Sequence, residues 1–367
     1  VMGVYTTIND PSVYFQIKAW TGNGSGASQT FDGNANIQPD WLWYKSKSTA
    51  GDHGWMDSTR GKPGGNNSYY VLRSNSDGAQ IAVNSGSDLT TLSSDGFTYG
   101  SVHYLDMATN GAENLAWSWK CNGGTTSSNS DGSITSTVQA NTTSKFSIIT
   151  YTGTGSGATV GHGLGTKPTA VFVKRTDGTA NWRCFHQYGN IGNSGTQMQA
   201  GGKLNSTAAF DFGANSYWNN TSFTNTTLSL GTSSEVNGSG EYYVAYCFAE
   251  VQGYSKFGQY TANNSSNGSH IYTGFKPNFL MIKSTSASAE NWTILDATRD
   301  PFNYQVSKLS ANGTGAQNVD SNSLDLLSNG FKIRSNIGNW GGSHQYVYWA
   351  WAQAPLVSSN NVPATAR

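Results

Sequence analysis

Pro168-Thr169-Ala170-Val171-Phe172-Val173-Lys174 has two counterparts in the same chain: Pro39-Asp40-Trp41-Leu42-Trp43-Tyr44-Lys45 and Pro277-Asn278-Phe279-Leu280-Met281-Ile282-Lys283. Each is a proline, one variable residue, four apolar residues and a lysine. Proline is tolerated at a strand entrance, where its missing N–H costs no ladder bond. Four consecutive apolar residues between polar boundaries read as a strand buried on both faces.

Two more elements recur around these runs. Upstream stand Trp20-Thr21-Gly22, Tyr151-Thr152-Gly153 and Tyr260-Thr261-Ala262, each a strand end entering a turn; from Thr to proline takes 18, 16 and 16 residues. Downstream stand Trp117-Ser118-Trp119, Tyr246-Cys247-Phe248 and Trp349-Ala350-Trp351, and from proline to the last aromatic takes 80, 80 and 74 residues. Spacing this regular marks three internal repeats. A fourth element, Trp55…Asp57-Ser58-Thr59-Arg60, matches Trp292…Asp296-Ala297-Thr298-Arg299, whereas the middle repeat has Trp182-Arg183-Cys184-Phe185-His186 and loses the acid–arginine pair. Ser94-Asp95-Gly96-Phe97 and Ser328-Asn329-Gly330-Phe331 read as tight hairpins.

The expected fold is all-β: three tandem antiparallel β-sandwich repeats of jelly-roll or lectin-like type. The boundaries are a lead-in over 1–13, repeats over 14–124, 145–253 and 254–355, a linker or exposed loop over 125–144, and a tail over 356–367. The aromatic closing strands are expected to fill each repeat's own core. Repeats two and three, joined without a spacer, are expected to form one unit. A β-propeller is the competing architecture, but its blades of about 40–50 residues are much shorter than this period.

Composition agrees. Of 367 residues only 11% are charged, with 21 basic and 21 acidic side chains, while Gly (44), Trp (12), Tyr (19) and Phe (15) are abundant. Disordered chains lack such aromatics, and helical bundles need Ala, Glu, Lys and Leu. Nucleic-acid binding by phosphate neutralisation needs a basic excess, and a membrane helix needs about 20 apolar residues in a row. Neither nucleic acid nor membrane insertion is therefore expected. The start, Val1-Met2-Gly3-Val4, has no basic, apolar leader pattern and reads as a fragment or processed product. Cys121, Cys184 and Cys247 read as small buried hydrophobes.

Tyr151-Thr-Gly-Thr-Gly-Ser-Gly-Ala-Thr-Val-Gly-His-Gly-Leu-Gly-Thr-Lys-Pro168, Trp218-Asn219-Asn220-Thr221, the run Tyr243–Gly258 and Tyr272-Thr273-Gly274-Phe275-Lys276-Pro277 resemble a signature of virion-associated proteins of tailed, mainly marine, bacteriophages. The resemblance covers about residues 13–367. It is weaker in the first repeat, which carries Trp41-Leu42-Trp43-Tyr44 and a shortened step from Trp55 to Asp57. It implies a tandem-repeat virion structural protein, associated with tail fibres, whose repeat domain is uncharacterised and supplies no catalytic residues.

His53, His103, His162, His186, His270 and His344 show no metal spacing, and His162 reads as a turn before the Pro168 strand. No cofactor and no metal is called for. Asp57 with Arg60 and Asp296 with Arg299 read as structural ion pairs, three residues apart, ahead of any catalytic acid. No acid pair suited to glycoside hydrolysis stands out. Trp218 and Trp340, set among Asn, Ser and Gly, are the candidates for stacking on a glycan or plugging an interface. The expected function is a phage virion surface structural protein, a tail-fibre or host-attachment component acting by assembly and adhesion, and not an enzyme. The alternatives are a capsid decoration protein and, in another class, a glycan-degrading enzyme. Expected partners are further copies of the chain (a homo-oligomer, a trimer by resemblance), other virion proteins and host surface glycans. The expected location is the virion surface, after synthesis in the host cytoplasm.

Overall fold

The computed structural model describes residues 5–101, 104–190, 196–213, 215–358 and 363. His103, Val1-Met2-Gly3-Val4 and most of the tail 356–367 lie outside the described residues. The fold is all-β; the helical turns among the described residues are the short 3-10 segments Pro11–Val13 and Gln197–Gln199.

One four-strand order recurs three times. An opening strand (Phe15–Thr21, Phe146–Thr152, Ser255–Thr261) pairs with a closing strand (Glu113–Trp119, Tyr242–Phe248, Gln345–Pro355). The closing strand pairs with the strand carrying the proline-led run (Trp41–Ser46, Ala170–Arg175, Phe275–Ser284). That strand pairs in turn with a short fourth strand (Gly54–Asp57, Arg183–His186, Thr293–Asp296). All pairings are antiparallel, and the register repeats. Trp41 faces Trp119 and Asp57, Ala170 faces Phe248 and His186, and Phe279 faces Trp351 and Asp296. Pro277 sits at a register shift, where a ladder tolerates the missing donor.

Strand alternation then decides the packing, because successive side chains point to opposite faces. One face of each sheet holds Leu42, Tyr44 and Ala116, or Val171, Val173 and Ala245, or Leu280, Ile282 and Ala350, and each set belongs to a separate core. The other faces carry Trp41, Trp43, Trp117 and Trp119, then Phe172, Tyr246 and Phe248, then Phe279, Met281, Trp349 and Trp351. These all join one continuous cluster. Trp41 lies 5.1 Å from Tyr246, Phe248 5.4 Å from Trp351 and Trp119 5.1 Å from Trp351 between ring centroids, so each repeat touches both others. The closing aromatics thus do not fill three private cores, as the sequence led us to expect, but a shared one. Repeat one is as much a part of the unit as repeats two and three.

Smaller strand sets cover the outer cores. Ala27–Gln29, Gly96–Tyr99 and Leu89–Ser93 form one, and Ala158–Gly161 with Thr227–Leu230 another. In the third repeat a single eight-stranded sheet runs from Ser255–Thr261 to His270–Tyr272 and curls into a nearly closed barrel. The two hairpins foreseen at Asp95-Gly96 and Asn329-Gly330 form. Their glycines lie so close to the neighbouring strand that a Cβ would stand 1.9 Å from the carbonyl oxygen of Gln29 or Ile271.

The segment 125–144 is not a flexible linker. Ser127–Asn129 and Ser136–Asn141 are strands, and the latter pairs with the opening strand of repeat two, Ile148 facing Gln139. Buried Ile134, Val138 and Gln139 hold it there, which outweighs its Ser- and Gly-rich composition. The three cysteines are free and buried.

Candidate binding grooves at the repeat seams

The seams are built from the turn that follows each fourth strand. In repeat one, Asp57 Oδ1 accepts from the backbone N–H groups of Thr59 (3.0 Å) and Arg60 (2.7 Å), which fixes the turn. Its Oδ2 accepts from Arg60 Nε at 2.5 Å and from the hydroxyl of Tyr246, on the closing strand of repeat two, at 2.7 Å. Repeat three does the same: Asp296 takes Thr298 and Arg299 N–H, Arg299 Nε at 2.6 Å and the indole N–H of Trp117, on the closing strand of repeat one, at 3.2 Å. Both acids are fully buried and both arginines nearly so. The two ion pairs read from the sequence are therefore formed, and each also ties its repeat to the next.

In repeat two His186 stands where the acids stand. Its Nδ1 accepts from Tyr188 N–H at 3.1 Å, replacing the carboxylate as turn cap, and its ring lies 4.7 Å from Trp349 of repeat three. Burial pushes its pKa down to about 3, so the ring is neutral. The circuit one-to-two, two-to-three, three-to-one is thus complete. A second circuit runs the other way. Trp182 donates its indole N–H to Arg73 O of repeat one (2.8 Å), Trp292 to Lys203 O of repeat two (2.9 Å), and His53 Nε2 meets Ser310 O of repeat three (3.0 Å). Sequence reading missed this second set, whose signal is the aromatic four residues before each acid or His186.

The lysines that end the proline-led runs, Lys45, Lys174 and Lys283, are fully buried. Their ammonium groups donate to carbonyls: Lys45 to Ser46 and Thr49, Lys174 to Arg175, Lys283 to Thr207 and Glu290. Burial pushes them down to about 8, 7 and 8, respectively.

At the seam of repeats one and two lies a groove of about 410 Å³. Thr59, Arg60 and Gln80 line it from repeat one, and Ser128, Thr135, Thr137, Thr150, Thr152 and Tyr242 from the other side. Alternation along Ser136–Asn141 and Phe146–Thr152 points every second hydroxyl outward. Tyr242 stands on its rim, 57% exposed. At the seam of repeats two and three a groove of about 320 Å³ is lined by Tyr188, Tyr260, Tyr272, Tyr348, Gln259 and His270, with Tyr272 55% exposed. Both surfaces are rich in hydroxyls, amides and aromatic rings, chemistry suited to hydrogen-bonding a polyhydroxy ligand and stacking on its ring.

Trp218 and Trp340 are not at these surfaces. Both are fully buried: Trp218 packs among Phe185 and Phe223 and donates to Ala200 O at 2.8 Å, and Trp340 sits in the third repeat's own core. Neither can stack on a sugar; bending of their polar loops carries the rings inward. His162 is the turn element foreseen, accepting from Leu164 N–H, and burial lowers it to about 4. Among the described residues no group of three or more His, Cys, Asp or Glu is placed to hold a metal ion, and no helix is long and apolar enough to cross a membrane.

Residues 10–355 match the model of the domain of unknown function DUF7483. The chain belongs to that family. The match begins just before the first opening strand and ends with the last closing strand, so it spans the three sheets and their shared core. A comparison with curated proteins finds no match, and one with solved structures finds none either.

Proposed function

We propose that the chain is a surface component of a tailed-phage particle, in a tail fibre or host-attachment assembly, and that it works by assembly and by adhesion to glycans. Each repeat is read as a β-sandwich, its four-stranded sheet backed by the smaller outer strands. The observation that carries the adhesive role is the pair of seam grooves lined mainly by hydroxyls, amides and aromatic rings, each with a half-exposed tyrosine, Tyr242 or Tyr272, on its rim. The virion assignment is supported by the likeness of residues 151–168 and 243–258 to phage particle proteins. Assembly into homo-oligomers, three copies by the same likeness, and contact with other virion proteins belong to this reading.

The test is titration of the full chain with host surface polysaccharide by calorimetry, alongside Tyr242→Ala and Tyr272→Ala variants. Saturable binding weakened about tenfold or more by one substitution supports adhesion. Release of reducing ends would instead indicate a glycan-degrading enzyme, and no binding by any polysaccharide of the host would overturn the adhesive role. Labelled antibody on intact particles separates a fibre from a capsid decoration.

A further inference from the structure

The three opening strands are equivalent in register, yet their outer edges end differently. In repeat two the edge is covered by Ser136–Asn141, antiparallel, with Gln139 facing Ile148. The Gln139 amide dips into the seam and donates to Ser58 Oγ (2.9 Å) and Thr59 Oγ1 (2.8 Å). In repeat three the equivalent residue is Phe257. Its N–H donates to Glu250 Oε1 (3.0 Å) and its C=O accepts from Gln187 Nε2 (2.8 Å), so two side chains stand in for a strand. In repeat one the equivalent is Ile17, and Phe15–Thr21 is the end strand of its sheet among the described residues. The residue matching Ser58 and Gln187 is Ala297, which offers only a methyl group. A cavity of about 300 Å³ lies there, lined by Phe15, Ile17, Asn278 and Thr298 among others.

We propose that the edge Phe15–Thr21 is a docking site for an extended segment of a partner protein, added as an antiparallel strand with a glutamine opposite Ile17. Strand addition of this kind takes affinity from main-chain bonds and specificity from alternate side chains. The chemistry of the occupant follows from the one this fold already holds at the equivalent edge. It is uncharged, alternates small polar and small apolar residues, and has an amide long enough to cross to Thr298. Among the described residues the segment that fits such an edge is already paired with Phe146–Thr152, so the occupant is assigned to another protein. The proposal stands apart from the glycan reading, which rests on the other two seams.

The test uses the full chain and a capped peptide with the sequence of residues 134–141, Ile-Thr-Ser-Thr-Val-Gln-Ala-Asn. Saturable binding is expected, with amide resonances of Ile17 and Ala19 shifting. Methylation of the peptide's glutamine nitrogen removes the N–H opposite Ile17 and should weaken binding tenfold or more without touching the protein's fold. Ile17→Pro should do the same, since its N–H points to the open edge. No saturation at millimolar peptide, equal binding of the methylated peptide, shifts confined to Ile148 and Thr150, or self-association of the chain through this edge would each overturn the proposal.

Discussion

Removing the Asp57 carboxylate should unfold the molecule as a whole and not only its first repeat. In Asp57→Ala the nearly buried Arg60 guanidinium keeps its bond to Trp55 O but loses its counter-ion, and two turn N–H groups and the Tyr246 hydroxyl lose their acceptor. Breaking one partner of a buried pair costs about 3–5 kcal/mol, a large share of the ~5–15 kcal/mol that holds a typical protein folded. Tyr246→Phe deletes the two bonds that cross from repeat two, the one donated to Asp57 and a longer one accepted from Arg60 Nη2 at 3.3 Å, and a hydrogen bond to a charged group is worth about 1.5–3 kcal/mol. In the double variant the tyrosine has no carboxylate left to lose, so its second loss should be smaller, with a coupling within the range of about 0.5–3 kcal/mol seen for residues in contact. Urea unfolding followed by tryptophan fluorescence and by far-ultraviolet circular dichroism measures all three. Because the three sheets share one core, both signals should move together in one transition. A split transition in which Asp57→Ala shifts only part of the amplitude would refute the shared core, and a coupling near zero would refute the cross-seam bond.

Three further outcomes follow from the same packing. Lys174→Met should stabilise the fold at pH 7, because it removes a buried ammonium whose pKa has fallen to about 7. In the parent chain the unfolded state holds that proton up to about pH 10, so stability should rise with pH between about 7 and 10, and the variant should lose that part of the rise in urea midpoints. His53, His162 and His186 are buried and neutral, with pKa values pushed below the free value. Below about pH 6.5 the unfolded chain takes up protons the folded one refuses, so stability should fall by about 1.4 kcal/mol per pH unit for each histidine, and His186→Asn should flatten that acid limb. Trp218→Ala should cost about 3–5 kcal/mol as a core truncation and leave polysaccharide affinity per folded molecule unchanged; weakened binding by folded protein would return Trp218 to the binding surface.

Much of this architecture was legible because register survives in sequence spacing. A proline, four apolar residues and a lysine mark a strand buried on both sides, and the regular distance to Trp119, Phe248 and Trp351 marks its hydrogen-bonded neighbour. The pairs Asp57–Arg60 and Asp296–Arg299 were legible because both partners sit in one turn. What alternation cannot say is which surface covers a face. Trp117 and Trp119 were readable as one side of a strand, but a private core and a shared one give the same pattern. Composition misled in two places. The Ser- and Gly-rich stretch 125–144 hides the alternation of Val138 and Ala140 that makes a strand, and the Asn and Gly flanking Trp218 and Trp340 describe the loops, not the rings.

The shared core also explains where the repeats agree and where they diverge. At the centre Trp41, Ala170 and Phe279, or Trp119, Phe248 and Trp351, occupy one register position each, and all are apolar. Phe248 touches Trp41 of repeat one and Trp351 of repeat three, and Trp351 touches Trp119 of repeat one and Phe248 of repeat two, so a polar group at either position would be left unpaired in two interfaces at once. At the seams, by contrast, each position meets only one neighbour. Asp57 and Asp296 could therefore give way to His186 provided Tyr188 N–H still found an acceptor, and His186 Nδ1 supplies it. Ser58, Gln187 and Ala297 show how far that freedom goes: one opening strand is covered by a strand, one by side chains, and one is the end strand of its sheet among the described residues. Three identical chains around the same centre would be bound to three identical seams. Carrying the three sheets on one chain keeps the centre and lets each seam take a different surface.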